Sequence, residues 1–159
     1  MTMFPVLNRQ RVRTGFTLTE LMIVVAVIGL LAVIAIPSFV RARERSLNVR
    51  FAADLQVAKA AFIEYSLEHR KYPPDTQPGV VPEGMVEYLK RIEWKKPTAL
   101  GGSWDWDNGQ FGFKAGVSVY HPTASSGQLL QLDKTIDDGN LSTGGFRARA
   151  NGYIGIIEE

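Results

Sequence analysis

A single carboxylate stands at the head of a run of side chains that otherwise carry no charge. From Phe16 to Val40 only Thr17, Thr19, Glu20, Pro37 and Ser38 interrupt the apolar residues. A carboxylate in such a setting is costly unless a donor or a cation answers it. Thr17-Leu18-Thr19-Glu20 fits the S/T-x-x-E capping box, which supplies donors. A positive amine nearby would supply the cation, and the pair would attract strongly in a medium of low dielectric constant. A second group is Asp133, Asp137, Asp138 and Asn140. Asp133 and Asp137 lie four residues apart and repel each other without a cation, acids in a last helical turn oppose the macrodipole, and hard oxygen ligands suit calcium. The plainer reading is a solvated helix end followed by an Asp-Gly turn, and no metal is assigned there. Trp104 and Trp106 share one strand face, as core residues or as an aromatic platform for a glycan or a secreted substrate. His69 and His121 are the only histidines, and no HExxH, GxSxG, P-loop or GxGxxG spacing occurs, so no catalytic residues are assigned and the chain is read as a non-enzyme.

The elements that position these residues begin with the apolar run. Leu21 to Ile36 is sixteen residues without a polar side chain, and the 25 residues from Phe16 to Val40 exceed the roughly 20 needed to cross a bilayer core. A secretory signal would place small residues at spacing two beyond the run, but Ala32 is followed by Ile34 and Ala35 by Pro37. A membrane anchor, or a leader cut ahead of the apolar segment, fits better. Composition agrees with a folded remainder: apolar residues make up 45% and charged residues 21%, which excludes wholesale disorder. With no cysteine, disulfide scaffolds, thiolate zinc sites and cysteine nucleophiles are excluded too. The net charge of +2 is unevenly spread: Arg9, Arg11 and Arg13 give residues 1–15 a charge of +3, leaving 15 basic against 16 acidic side chains in residues 16–159. A nucleic-acid binder would keep its basic face on the folded part, so no nucleic acid is expected as a partner.

The basic leader followed by Gly15-Phe16-Thr17-Leu18-Thr19-Glu20-Leu21-Met22-Ile23-Val24-Val25 resembles the prepilin leader shared by type IV pilins and type II secretion pseudopilins. The match covers roughly residues 9–40. The resemblance implies cleavage between Gly15 and Phe16 by prepilin peptidase, methylation of the new N-terminus at Phe16, and a subunit-assembly role for Glu20 through the Phe16 amine. It also implies helix flexibility over Gly29 to Pro37, since proline removes one helical hydrogen bond and a bend is expected near Val33–Pro37. Orientation is ambiguous from charge alone, because Arg41, Arg43, Arg45 and Arg50 lie beyond the span, opposed only by Glu44. A cytoplasmic N-terminus and a periplasmic head, single-pass in the inner membrane, are what the resemblance implies. After assembly the filament would be periplasmic or at the cell surface.

No linker separates the span from the amphipathic segment beyond it. Leu47, Phe51, Leu55, Ala58, Phe62, Tyr65 and His69 form an amphipathic stripe, so the helix is expected from about Phe16 to His69, a rod of about 80 Å. His69 reads as a helix-end core or capping residue. Tandem prolines in Lys71-Tyr72-Pro73-Pro74 stop it, and Tyr-Pro here looks like the pair that comes after the long helix in pseudopilins. Met85, Tyr88, Leu89 and Ile92 suggest a short helix. Asn108-Gly109 predicts a hairpin turn after the tryptophan strand, with Phe111, Phe113, Ala115, Val117 and Val119 on one face beyond it. Leu129, Leu132 and Ile136 mark a helix closing at Gly139, and Phe146, Ala148, Ala150, Ile154 and Ile156 a last alternating strand.

The expected fold is α+β and pilin-like: a long N-terminal helix, membrane-spanning in its first half, packed on a small antiparallel β-sheet head. Its parts are a leader (1–15), an apolar assembly half of the helix (16–40), an amphipathic half (41–71) and a globular head (72–159). The resemblance implies a structural subunit anchored in membrane lipid. It would polymerise as a homo-oligomer in a helical filament with other pilins or pseudopilins, driven by an assembly platform protein and its ATPase. The alternative is a minor tip subunit acting as a binding module for surface, cargo or DNA. No cofactor is expected beyond the calcium candidate.

Overall fold

The computed structural model describes residues 15–159; the leader arginines Arg9, Arg11 and Arg13 lie outside the described residues. Two compact units divide the chain, Met1–Val40 and Arg41–Glu159. The elements in order are α1 (Leu18–His69), β1 (Ser103–Asn108), β2 (Ala115–Tyr120), α2 (Ser126–Ile136), β3 (Phe146–Arg149) and β4 (Gly152–Glu158). The four strands form one antiparallel sheet in the order β1-β2-β4-β3. A long apolar N-terminal helix with a small antiparallel sheet is the α+β, pilin-like arrangement expected.

In the first unit α1 is helical from Leu18 and continuous across Gly29 and Pro37. Its large apolar side chains, from Phe16 to Val40, all stand exposed. It is long and apolar enough to cross a membrane.

The second unit has the core. Phe51, Leu55, Ala58, Phe62 and Tyr65 are buried along one face of α1, as the stripe predicts, and His69 at its end is exposed. The tryptophan side of the sheet meets that face ring on ring: Phe51 stacks on Trp104 with centroids 5.3 Å apart, and Phe62 on Trp106 at 3.8 Å. Leu55 fits over Gly155 of β4, where an added Cβ would stand 3.0 Å from the leucine methyls. Asn48 and Gln128 are both buried and bond to each other: Asn48 Nδ2 donates to the Gln128 carbonyl at 3.2 Å, and Gln128 Nε2 to Asn48 Oδ1 at 3.0 Å. This pair ties α2 to α1 in a single register. Each edge strand of the sheet takes one further backbone bond. The Gly79 amide bonds the Trp104 carbonyl on β1, and the Ala148 amide of β3 bonds the Leu141 carbonyl, each at 2.7 Å.

Three expectations need correction. The segment around Met85, Tyr88, Leu89 and Ile92 is a chain of turns instead of a helix. Only one of its bonds, Leu89 N–H to Met85, spans four residues, and Gly84 at φ +79° interrupts any helical run at its start. The Asn108-Gly109 signal does mark a turn, yet the connection runs from Gly109 to Lys114, with Asn108 opposite Ala115. Phe111 and Phe113 therefore belong to that loop and not to the buried face of Ala115, Val117 and Val119. The last strand is two strands. Ala150 and Asn151 turn the chain between Arg149 and Gly152, with Asn151 in the left-handed region at φ +62°.

Candidate functional site

The start of α1 is a complete capping box. Glu20 Oε2 accepts the Thr17 amide at 2.7 Å and the Thr17 hydroxyl at 2.8 Å, while Thr17 Oγ1 accepts the Glu20 amide at 3.2 Å. Thr17 is the N-cap because its carbonyl already receives the Leu21 amide at 3.3 Å. The carboxylate is thereby aimed back along the chain toward Phe16. Gly15 has open space around its Cα, and Phe16 is exposed, so the joint between them lies clear of the helix. Twenty residues on, Pro37 removes one amide from the ladder, and Ser38 Oγ donates to the Ile34 carbonyl at 3.1 Å. Gly29 is also clear of other atoms.

At the end of α2 the structure gathers Asp133, Asp137 and Asp138, with ligand atoms within 4.8 Å of one another. They are not alike. Asp138 is turned into its own loop by the Asn140 amide at 2.8 Å and the Thr143 hydroxyl at 2.6 Å. Asp137 Oδ2 accepts the amides of Gly145 and Phe146. Asn140 Oδ1 is taken by the Ser142 amide at 3.1 Å. Asp133 is different: it is 0% exposed, and neither carboxylate oxygen has a hydrogen-bond partner. Burial raises its pKa, and the charges of Asp137 and Asp138 raise it further. The reading of a solvated helix end holds for Asp137 and Asp138 and fails for Asp133.

Trp104 and Trp106 are 2% and 0% exposed, and the Trp106 indole donates to the Pro73 carbonyl at 3.0 Å. Both are core, so neither is an aromatic platform for a ligand. His69 takes the helix-end role expected of it, with Nδ1 3.1 Å from the Tyr65 carbonyl and its ring stacked on Tyr65.

One charged cluster is not apparent from sequence pattern alone. On the sheet face opposite the tryptophans, Arg149 Nη2 pairs with Asp105 Oδ2, and Nε lies 3.5 Å from Asp107 Oδ2. The Ser118 hydroxyl donates to Asp107 and accepts from Arg149 Nε at 3.1 Å. All three charged side chains are at most 6% exposed. The long hairpin loop closes over them, with Phe111 4.6 Å from the Arg149 guanidinium and Phe113 5.3 Å from that of Arg147. Burial, and then the neighbouring charge of Asp107, push the Asp105 carboxyl up to about 6 despite the arginine. Asp107 is raised as well, again chiefly by burial. The acid pair Asp105 and Asp107 on one strand face is the signal that could have found it. Its cation lies 44 residues away from Asp105, on a strand that the alternating pattern merges with its neighbour.

Residues 10–36 match the family model described as the prokaryotic N-terminal methylation motif. Among curated proteins the chain is 40% identical over 87 residues to a type IV major pilin protein of Neisseria gonorrhoeae, covering 51% of this chain and 52% of that one. It is 39% identical over 79 residues to a type IV major pilin protein of Myxococcus xanthus, covering 49% and 36%. With a type II secretion system core protein G of Aeromonas hydrophila it shares 26% identity over 104 residues, 56% of this chain and 73% of the relative. No solved structure gives a significant match. The chain spans about half the length of the first of these pilins. Motif, fold and relatives point the same way: the chain is similar to type IV pilins and type II secretion pseudopilins.

Proposed function

We propose that this chain is a structural filament subunit. It is made with a basic leader, cut between Gly15 and Phe16 by prepilin peptidase, methylated at the Phe16 nitrogen, and held in the inner membrane by the first half of α1. It is then polymerised, through that same apolar surface, into a helical filament with other pilins or pseudopilins. The observation that carries this reading is an exposed apolar helix that opens, three residues past Gly15, on a capped carboxylate. In the membrane lipid covers that surface; in a filament neighbouring subunits cover it, so assembly exchanges one apolar solvent for another without exposing it to water. The assembly platform protein and its ATPase supply the work of extraction. Gly29 and Pro37 bound the stretch that loosens on entering the filament, because Pro37 leaves the Val33 carbonyl without its helical donor. The cytoplasmic side of the N-terminus follows from where the peptidase acts on such leaders. Mass spectrometry of protein recovered from native envelopes tests the reading: the chain is expected to begin at Phe16 and to carry one added methyl group. A chain still bearing the leader, without the methyl, overturns it.

A second reading is favoured by the orphaned Asp133 carboxylate. We propose that Asp133, Asp137 and Asp138 hold a calcium ion that cross-links the end of α2 to the loop ahead of β3. Three carboxylates this close, one of them buried without donors, need a cation more than a hydrogen bond could provide. Calcium at ten times its Kd is expected to stabilise the fold by about 1.4 kcal/mol, a rise of several degrees in Tm. The rise is expected to vanish in Asp133→Asn. An unchanged Tm of the unaltered chain in millimolar calcium removes the site.

A further inference from the structure

Directly after the apolar stretch of α1 come Arg41, Arg43 and Arg45, all exposed, within five residues. The helix turns about 100° per residue, so Arg41 and Arg45 share one side and Arg43 stands opposite, giving a positive collar around the helix. The acid between them, Glu44, is half-buried. Among the described residues Arg43 and Arg45 have no ion-pair partner, whereas Arg50, one turn further, pairs with Asp54 at 3.8 Å. We propose that this collar is a binding site for the phosphate groups of anionic phospholipids on the leaflet where the span ends.

Four physical points converge on that partner. Side chains of a helix lean on average toward its N-terminus, which for residues just past the apolar run is the direction of that run along the sequence. Arg41 to Arg45 covers about 6 Å of helix axis, matching the roughly 5–7 Å of headgroup layer on each side of the hydrocarbon. All three residues are arginine, whose planar fork suits phosphate oxygens two at a time where a lysine offers a point charge. Lastly, basic residues beyond a span that starts in the cytoplasm oppose the usual charge bias of membrane insertion. A collar on that side works against orientation and is explained by a partner waiting there. Three arginines near an anionic surface are expected to favour the membrane-bound state roughly a hundredfold.

The inference rests on the reading of α1 as a membrane span, and the test separates the two. The chain from Phe16, the form the proposed cleavage leaves, labelled with 13C at the arginine guanidinium carbons, is reconstituted into phosphatidylglycerol vesicles in phosphate-free buffer and carbonate-washed. It is expected to float with the vesicles and to show 31P dephasing of the arginine signal in solid-state NMR. Most of that dephasing is expected to be lost in the Arg41→Gln, Arg43→Gln, Arg45→Gln triple variant, whose changes are on exposed side chains and leave flotation intact. Flotation without dephasing, or dephasing unchanged in the triple variant, overturns the collar alone. Failure to float overturns the span and the collar with it. A parallel sample in phosphate-free galactolipid vesicles with millimolar inorganic phosphate is expected to show no dephasing; dephasing there would mark a free-phosphate site and overturn the lipid assignment.

Discussion

Glu20→Gln is expected to leave cleavage after Gly15 unimpaired and to lower incorporation into filaments by more than tenfold, measured as the share of cleaved subunit recovered in sheared filaments. The substitution discriminates because of the capping box. Glutamine at this helical position still accepts the Thr17 amide and hydroxyl, so the helix start seen here persists. Only the negative charge is lost. If the carboxylate serves as a cap alone, the variant assembles as well as the unaltered chain. If it neutralises the Phe16 amine created by cleavage, in its own or a neighbouring subunit, the variant leaves an unanswered cation in an apolar bundle. Normal polymerisation of a cleaved Glu20→Gln chain therefore rules out charge pairing. In the proposed sequence of events cleavage comes before pairing, so the cleaved product is expected at full yield.

Arg149→Met is expected to cost about 3–5 kcal/mol at pH 7, because it strands Asp105 and Asp107 in a buried site without their cation. The loss is expected to shrink toward pH 5, where the two carboxyls can take up protons instead. Adding Asp105→Asn and Asp107→Asn to Arg149→Met removes the stranded charges and is expected to recover much of the stability. Asp105 itself has a defined pH signature in the unaltered chain. Its folded pKa of about 6 lies above the ordinary 3.8, so the folded state holds this proton more tightly than the unfolded state does. The stabilisation that proton provides is complete below about pH 4 and is lost as pH rises through 6. Across that window the unaltered chain is expected to lose about 2–3 kcal/mol relative to Asp105→Asn, whose side chain does not titrate. Denaturant unfolding of both chains in detergent at matched pH values measures the difference, and the contributions of exposed carboxylates cancel. A difference that stays flat from pH 4 to 7 shows that Asp105 is ionised throughout.

These two sites differ in how far they can be read from residues alone. Glu20 is conspicuous because its neighbours in sequence are also its neighbours in space: a capping box spans four residues, and an apolar run of this length is helical wherever it lies. The stripe from Phe51 to Tyr65 is legible for the same reason, as helical periodicity is a local property. The tryptophan strand likewise shows which side chains point together, and the core is the correct side for them. Local patterns mislead where glycine and asparagine reverse the chain. The turn at Ala150-Asn151 divides what looks like one strand into two, and six residues of hairpin loop carry Phe111 and Phe113 away from the strand they seem to extend.

The residues alone, then, were enough for the capping box at Glu20, the apolar helix and the α+β composition of the rest. Each of these is set by interactions within a few residues along the chain. The tertiary structure alone decided that Asp105 and Asp107 share a buried arginine. That pairing needs β3 at the far edge of the sheet and Gly152 between, where an added Cβ would meet the Val119 carbonyl at 2.1 Å. It alone decided, too, that of three neighbouring aspartates Asp133 is the one sealed from water. Burial depends on what packs from elsewhere in the chain, and a charge is inexpensive or costly only once that packing is in place.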